Sequence, residues 1–185
     1  MAKTILITGA SSGIGASTAK LFLSRGWNVG LIARREDKLA IIANDHGNSL
    51  CVKCDVCQEN QVKNAFQLMV DHFGAVDVLF NNAGIFTPQA RIDQIDINDW
   101  QKSIDVNLTG MFLAAREAFR HMTKTGGRII NNGSISAHTP REGSAPYTST
   151  KHAITGLTKT IALDGRDLNI CCGQIDIGNA HTEMV

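Results

Sequence analysis

The chain has 185 residues, with 18 basic and 17 acidic side chains, 43% hydrophobic residues, 17 Gly and 3 Pro. A formal charge of +1 leaves no general basic field for nucleic acid, the apolar content excludes disorder, and Gly without periodicity or abundant Pro excludes a collagen-like chain. No apolar run approaches the ~18 residues that span a bilayer, and the start runs straight into a strand-like segment without a signal peptide, so a soluble, cytoplasmic single domain over 1–185 is expected, with no membrane or nucleic-acid partner.

The apolar run Thr4-Ile5-Leu6-Ile7 reads as a buried strand, followed by a Gly/Ser turn and a helix to residue 25 that Gly26 closes as a left-handed cap. A second strand falls at 29–33, a second helix at 36–44 and a third strand at 50–53. The clearest periodicity follows: Val62, Ala65, Phe66, Met69, Val70 and Phe73 form one stripe at helical spacing, which predicts a helix packed on a sheet. A fourth strand is expected at 76–80, then one long helical segment at 98–121 with Asp96 as its cap. A fifth strand at 128–131, a helix at 147–163 and a sixth strand at 169–175 complete the series. Repeated strand–helix–strand units predict an α/β fold, a doubly wound parallel sheet with helices on both faces, because each crossover returns the chain to the same end.

The five cysteines offer two readings. Cys51, Cys54 and Cys57 form C-x2-C-x2-C, a spacing compatible with a metal or an iron–sulfur cluster, while Cys171 and Cys172 are adjacent far downstream. An odd count without a secretory signal argues against a disulfide framework, and the bland alternative is that they pack as small apolar side chains.

Two motifs carry chemistry. Thr8-Gly9-Ala10-Ser11-Ser12-Gly13-Ile14-Gly15 follows the first strand and opens a helix. Glycines there let the backbone approach a phosphate, and the N–H groups of the helix start face the anion. Tyr147 and Lys151 lie four apart on a helix, hence on one face, and an ammonium beside a phenol favours the phenolate.

Taken together, these residues resemble the short-chain dehydrogenase/reductase family. The features, in order, are Thr8-Gly9-x-x-x-Gly13-x-Gly15, Asp55-Val56, Asn81-Asn82-Ala83-Gly84, Asn107, Ser134 and Tyr147-x-x-x-Lys151, and they cover essentially the whole chain. The resemblance implies a Rossmann-like sheet of order 3-2-1-4-5-6, which sets Cys51–Cys57 and Cys171–Cys172 near opposite sides, about five strand spacings of ~4.8 Å apart. It implies hydride transfer between a nicotinamide cofactor and a carbonyl or secondary alcohol, without a metal. Tyr147 would be the general acid/base, and Ser134 would hold the carbonyl oxygen. Lys151 would ease ionisation of the phenol and bind the nicotinamide ribose, and Asn107 would hold a water in a proton relay.

For the cofactor, the resemblance assigns Gly9, Ser11, Ser12, Gly13, Ile14 and Gly15 to the pyrophosphate turn. Asp55, with Val56 beside it, meets the adenine amino group, or simply caps its loop. Asn81 braces the central strands, Ala83 and Gly84 let backbone approach, and Ile177 and Thr182 lie at the carboxamide, where relatives mostly have Pro in place of Ile177. Ala33-Arg34-Arg35 ends the second strand without a carboxylate, so NADP(H) is expected over NAD(H), with Arg34 on the 2′-phosphate, Ser11 and Ser12 assisting, and Arg35 facing solvent or capping the next helix. His138, Thr139, Pro140, Arg141 and Glu142 fall where relatives contact substrate, and none of them names a compound. His152 points elsewhere on its helix.

The resemblance also implies a homodimer or homotetramer paired through the helices near 98–121 and 147–163. Against the family pattern the chain looks short, stopping just after Thr182 without the usual helical lid and seventh strand. The sixth strand would then be an exposed edge. The alternative expectation is therefore a truncated dinucleotide-binding protein without turnover.

Overall fold

In a computed structural model, which describes residues 2–44 and 46–182, six strands form one parallel sheet in the order β3-β2-β1-β4-β5-β6. The strands are β1 (Thr4–Thr8), β2 (Asn28–Ala33), β3 (Ser49–Lys53), β4 (Val78–Asn81), β5 (Gly127–Asn132) and β6 (Ile170–Ile175). The helices are α1 (Gly13–Ser24), α2 (Glu36–Ala43), α3 (Glu59–Phe73), α4 (Ile97–Ile104), α5 (Met111–Met122) and α6 (Ala145–Asp164). Central β1 is buried along its whole length, paired with β2 from Thr4–Asn28 to Thr8–Ile32 and with β4 from Ile5–Val78 to Ile7–Phe80.

Alternation along the strands sorts their side chains into two cores. Ile5, Ile7, Val29, Leu31 and Ala33 pack with Ala19 and Leu23 of α1 and Leu39 and Ile42 of α2. Leu6, Ile32, Leu79 and Ile129 point the other way, against Phe66 and Met69 of α3 and Leu113, Ala114 and Ala118 of α5. The predicted stripe on α3 is the face that makes this core: Val62, Ala65, Phe66 and Met69 are buried, and Val70 and Phe73 pack at its margin. Gly26 closes α1 at φ +75°, as the left-handed cap requires, and Asp96 caps α4 by accepting the Asn98 N–H at 2.7 Å.

The long helix expected over 98–121 is interrupted. Residues Asp105–Gly110 widen into a π-helical turn between α4 and α5. Two features fix that turn. The Asn107 amide is committed to Ile85, accepting its N–H at 2.8 Å and donating to its carbonyl at 2.9 Å. Gly110 lies against β3's following loop, where a Cβ would fall 2.8 Å from Val56 Cγ2. Helix α6 starts two residues before Tyr147, with Pro146 in its first turn, where the missing N–H costs nothing. Strand β6 begins at Ile170 because Asn169 is left-handed, at φ +55°.

The cysteine triplet is divided between the two cores. Cys51 packs against the α1–α2 side and Cys54 lies in the α3–α5 side, while β3 and β6, which carries Cys171 and Cys172, are opposite edges of the described sheet. All five are free thiols, and among the described residues no group of His, Cys, Asp and Glu is arranged to hold a metal ion. Nor is any described helix long and apolar enough to cross a membrane.

Phe66 is fully buried at the centre of the α3 stripe. Phe66→Ala is expected to cost about 3–5 kcal/mol, read as a lower urea midpoint with an unchanged m-value.

Candidate active site

All six strands point their C-terminal ends to one side, and the loops that leave them enclose a cleft of about 270 Å³. This is the switch point of a doubly wound sheet, where β1 and β4 send their connections in opposite directions.

One wall is the turn from β1 into α1. Gly9 sits at φ +67°, and a Cβ there would lie 2.9 Å from Ala83 Cα; a Cβ on Gly15 would lie 2.3 Å from the Gly9 carbonyl oxygen. Glycine at these positions lets the turn close on itself and on the loop after β4. Gly9, Ser11, Ser12, Gly13 and Ile14 line the cleft, whereas Gly15 lies behind them and serves the packing of the turn. Helix α1 has no acidic residue in its first turn and no side-chain cap, so its leading N–H groups suit an anion.

The far wall is built from the ends of β2 and β3: Ala33, Arg34, Arg35, Cys54, Asp55 and Val56. Arg35, expected to face solvent or cap α2, occupies the cap position but reaches across the cleft mouth. Its Nη2 donates to Ser11 Oγ at 3.1 Å and Ser12 Oγ at 2.8 Å. Arg34 lines the same wall. Asp55 uses Oδ1 to accept the Cys57 N–H at 3.0 Å, the capping role, while still lining the cleft. Burial pushes the Cys54 thiol up to about 12, so it presents an inert thiol rather than a nucleophile.

A relay of hydrogen bonds joins the Gly-rich turn to the lysine. Thr8 Oγ1 accepts from the backbone N–H of Asn82 at 2.9 Å and of Ala83 at 3.0 Å. Asn82 Nδ2 donates to the Thr8 carbonyl at 3.0 Å, and its Oδ1 accepts from Asn132 Nδ2 at 2.8 Å. The Asn132 carbonyl then accepts from Lys151 Nζ at 2.7 Å. Asn82, which stands in the Asn81–Gly84 motif without a role of its own, and Asn132, two positions before Ser134, are thus the middle links. Asn81 lies beneath the cleft and braces strands, donating to the Met111 carbonyl at 2.7 Å and to Asn131 Oδ1 at 3.1 Å.

Lys151 and Tyr147 project from the first turns of α6 into the cleft. Lys151 Nζ lies 5.5 Å from the centre of the Tyr147 ring, which leans on Phe86 at 4.8 Å between centroids. Lys151 is 4% exposed. Burial pushes its ammonium down to about 8, against the upward pull of the Asp176 carboxylate. Asn107 does not line the cleft. It is buried behind Gly84 and Ile85 and holds the Ile85 backbone in place. Ser134 is also recessed, 6% exposed; its Oγ accepts the Ser136 N–H at 3.1 Å, an arrangement in which the O–H can donate. The cleft is covered by Ile177, Gly178, Ala180 and Thr182, and Thr182 packs over Gly13. Ala83 and Gly84 complete the floor.

The short chain dehydrogenase family model matches residues 3–185, and the chain belongs to this family. It is 34% identical to glucose 1-dehydrogenase 2 of Bacillus subtilis, over 98% of this chain and 73% of that protein. Among solved structures, the 3-ketoacyl-(acyl-carrier-protein) reductase from Brucella melitensis complexed with NADH superimposes with a TM-score of 0.94 at 29% identity, over 98% of this chain and 78% of that one. ElxO with NADP bound gives 0.93 at 34% identity, over 99% and 76%.

The buried lysine has a consequence for stability. Unfolded, it keeps its proton up to about 10.5, and folded only to about 8, so between those values the unfolded state holds more protons and stability rises with pH. Lys151→Met is expected to be more stable than wild type by about 1–3 kcal/mol near neutral pH, with the gap narrowing from about pH 8 upward and gone above about pH 10.5. Paired urea titrations along the pH range measure it.

Proposed function

We propose that the chain transfers hydride between NADP(H) and a carbonyl or its secondary alcohol. The observation that carries this reading is the placement of Tyr147 and a buried Lys151 on one helix face, inside the same cleft as a glycine turn in which added Cβ atoms would strike backbone.

The residues present fit a dinucleotide. The Gly9–Gly15 turn and the uncapped start of α1 receive the pyrophosphate, Asp55 and Val56 the adenine, and Ile177 and Thr182 the carboxamide end. When bound, the cofactor supplies or accepts the hydride. Tyr147 gives its proton to the carbonyl oxygen during reduction, or takes one from the alcohol. Ser134 donates its O–H to the same oxygen and holds it as negative charge develops. Lys151 favours the phenolate that remains and binds the ribose hydroxyls. Asn107 fixes the Ile85 backbone that lines the cleft, and in this way shapes the place of a water that returns a proton to Lys151.

The preference for NADP(H) rests on Ala33-Arg34-Arg35. No carboxylate stands at the end of β2 to repel a 2′-phosphate, and two guanidiniums line that wall. The Gly-rich turn has no basic residue of its own; Arg35, bonded to Ser11 and Ser12, brings a positive charge to it. We further assign the chain to a homodimer or homotetramer paired through α4, α5 and α6, which expose Ile97 at 73%, Phe112 at 43% and Leu163 at 57%; sedimentation as a concentration-independent monomer would contradict this.

The discriminating experiment measures NADPH binding by fluorescence and NADPH oxidation with a panel of ketones. Tyr147→Phe is expected to lower kcat by about 10²–10⁴-fold while changing NADPH affinity less than about threefold. Binding with no turnover on any ketone would support a dinucleotide-binding protein without catalysis instead. In the same titrations NADPH binds more tightly than NADH, and Arg34→Asp reverses that order; equal affinities in the wild type would refute the NADP assignment.

A further inference from the structure

The loop after β5 and the segment after β6 run side by side at the end of the cleft nearest Tyr147. Gly133 N–H donates to the Ile175 carbonyl at 2.9 Å and Ile135 N–H to the Ile177 carbonyl at 3.2 Å, so the parallel pairing continues past both strand ends. Between those two bonds the Ser134 N–H turns to a side chain, Asp176 Oδ1, at 3.1 Å. The same oxygen accepts from Gln174 Nε2 at 2.6 Å, and Gln174 also donates to Thr155 Oγ1 of α6 at 3.1 Å. The second carboxylate oxygen, Oδ2, lies 2.8 Å from Nε2 of His138.

The backbone is shaped around this carboxylate. A Cβ on Gly133, the residue before Ser134, would lie 2.2 Å from Asp176 Oδ1. Burial works against the charge, yet hydrogen bonds with His138, Gln174 and the Ser134 N–H hold the Asp176 carboxyl below the usual carboxylate range. Four groups therefore converge on one anion: the serine backbone, the loop histidine, a β6 glutamine and, through that glutamine, the helix of Tyr147 and Lys151.

We propose that Asp176 is a positioning residue for the reaction, its carboxylate fixing the Ser134 backbone so that the hydroxyl meets the carbonyl oxygen. The proposal rests on the reading of Ser134 given above. An apolar side chain at 176 would leave the recessed Ser134 N–H without its acceptor and free the loop to shift, and a displacement of about 1 Å at a reacting group costs on the order of 100-fold in rate. His138 holds the second oxygen and so sets the rotation of the carboxylate.

The test uses the full chain with NADPH and a ketone that the wild type reduces, comparing Asp176→Ala with Asp176→Asn. The asparagine keeps an oxygen for Ser134 and removes the charge. Asp176→Ala is expected to lower kcat by roughly 10–100-fold, with KM and NADPH affinity within about threefold, and Asp176→Asn to stay within about threefold of wild-type kcat. The Ser134 amide, followed by NMR hydrogen exchange, is protected in wild type and Asp176→Asn and loses protection in Asp176→Ala. Should Asp176→Ala not fold, Gly133→Ala, whose methyl displaces the same carboxylate, carries the same expectation. Wild-type kcat in Asp176→Ala, a kcat loss matched by an equal loss of NADPH affinity, or a Ser134 amide still protected there overturns the proposal. If the wild type turns over no ketone, or Tyr147→Phe is as active as wild type, it is the catalytic reading that fails, and the proposal with it; normal wild type, inactive Tyr147→Phe and unaffected Asp176→Ala sink the proposal alone.

Discussion

An ammonium held out of water organises the cleft. Lys151 Nζ has the Asn132 carbonyl as its hydrogen-bond acceptor at 2.7 Å, and burial weakens its hold on the proton. A buried charge is tolerated only where its surroundings are fixed in advance. Asn132 is fixed by Asn82, Asn82 by Thr8, and Thr8 by the backbone of Asn82 and Ala83. The lysine at one end and the glycine turn at the other are thus parts of one hydrogen-bonded frame laid across the ends of β1, β4 and β5. Removing the cation would relieve the protein of a buried charge, and under the proposed function it would also disarm the site, an opposition between stability and function.

The sheet makes this frame possible. Parallel order β3-β2-β1-β4-β5-β6 delivers every loop to the same edge, and the reversal of direction between β1 and β4 opens the crevice there. Asn81 and Asn131 hydrogen-bond across β4 and β5 just beneath it, and Asn131 continues to Thr158 of α6 at 2.9 Å. Polar side chains at the strand ends, each with a partner, therefore tie α6 to the sheet at Thr158, two turns along the helix from Lys151. The π-helical turn at Asp105–Gly110 performs the matching task on the other side, giving the Asn107 amide to Ile85 and so fixing the loop after β4.

Sequence reasoning recovered the features that depend on local period. The α3 stripe, the buried apolar runs of β1 and β2, the Gly26 stop and the Asp96 cap each follow from spacing and side-chain type within one element. The Tyr147–Lys151 face and the glycine turn were legible for the same reason. What was not legible depends on contacts between distant segments. Nothing near Asn107 signals a π-helical turn; its cause is Ile85, 22 positions away. Arg35 reads as a helix cap until Ser11 and Ser12 are brought opposite it by the pairing of β1 with β2. Asp176 carries no signal in the sequence, because its partners Ser134 and His138 lie 42 and 38 positions earlier. The cysteine triplet shows the converse: a suggestive local spacing that the fold divides between two cores.

The central claim is that this cleft moves hydride to a carbonyl carbon while Tyr147 protonates the oxygen. It is tested most directly by supplying NADPH deuterated at the transferable position of its nicotinamide ring, with a reducible ketone, and analysing the alcohol by mass spectrometry and NMR. The expected product is an alcohol carrying one deuterium on the carbinol carbon, formed by wild type about 10²–10⁴-fold faster than by Tyr147→Phe. An alcohol without deuterium, or equal rates from both proteins, would contradict the claim.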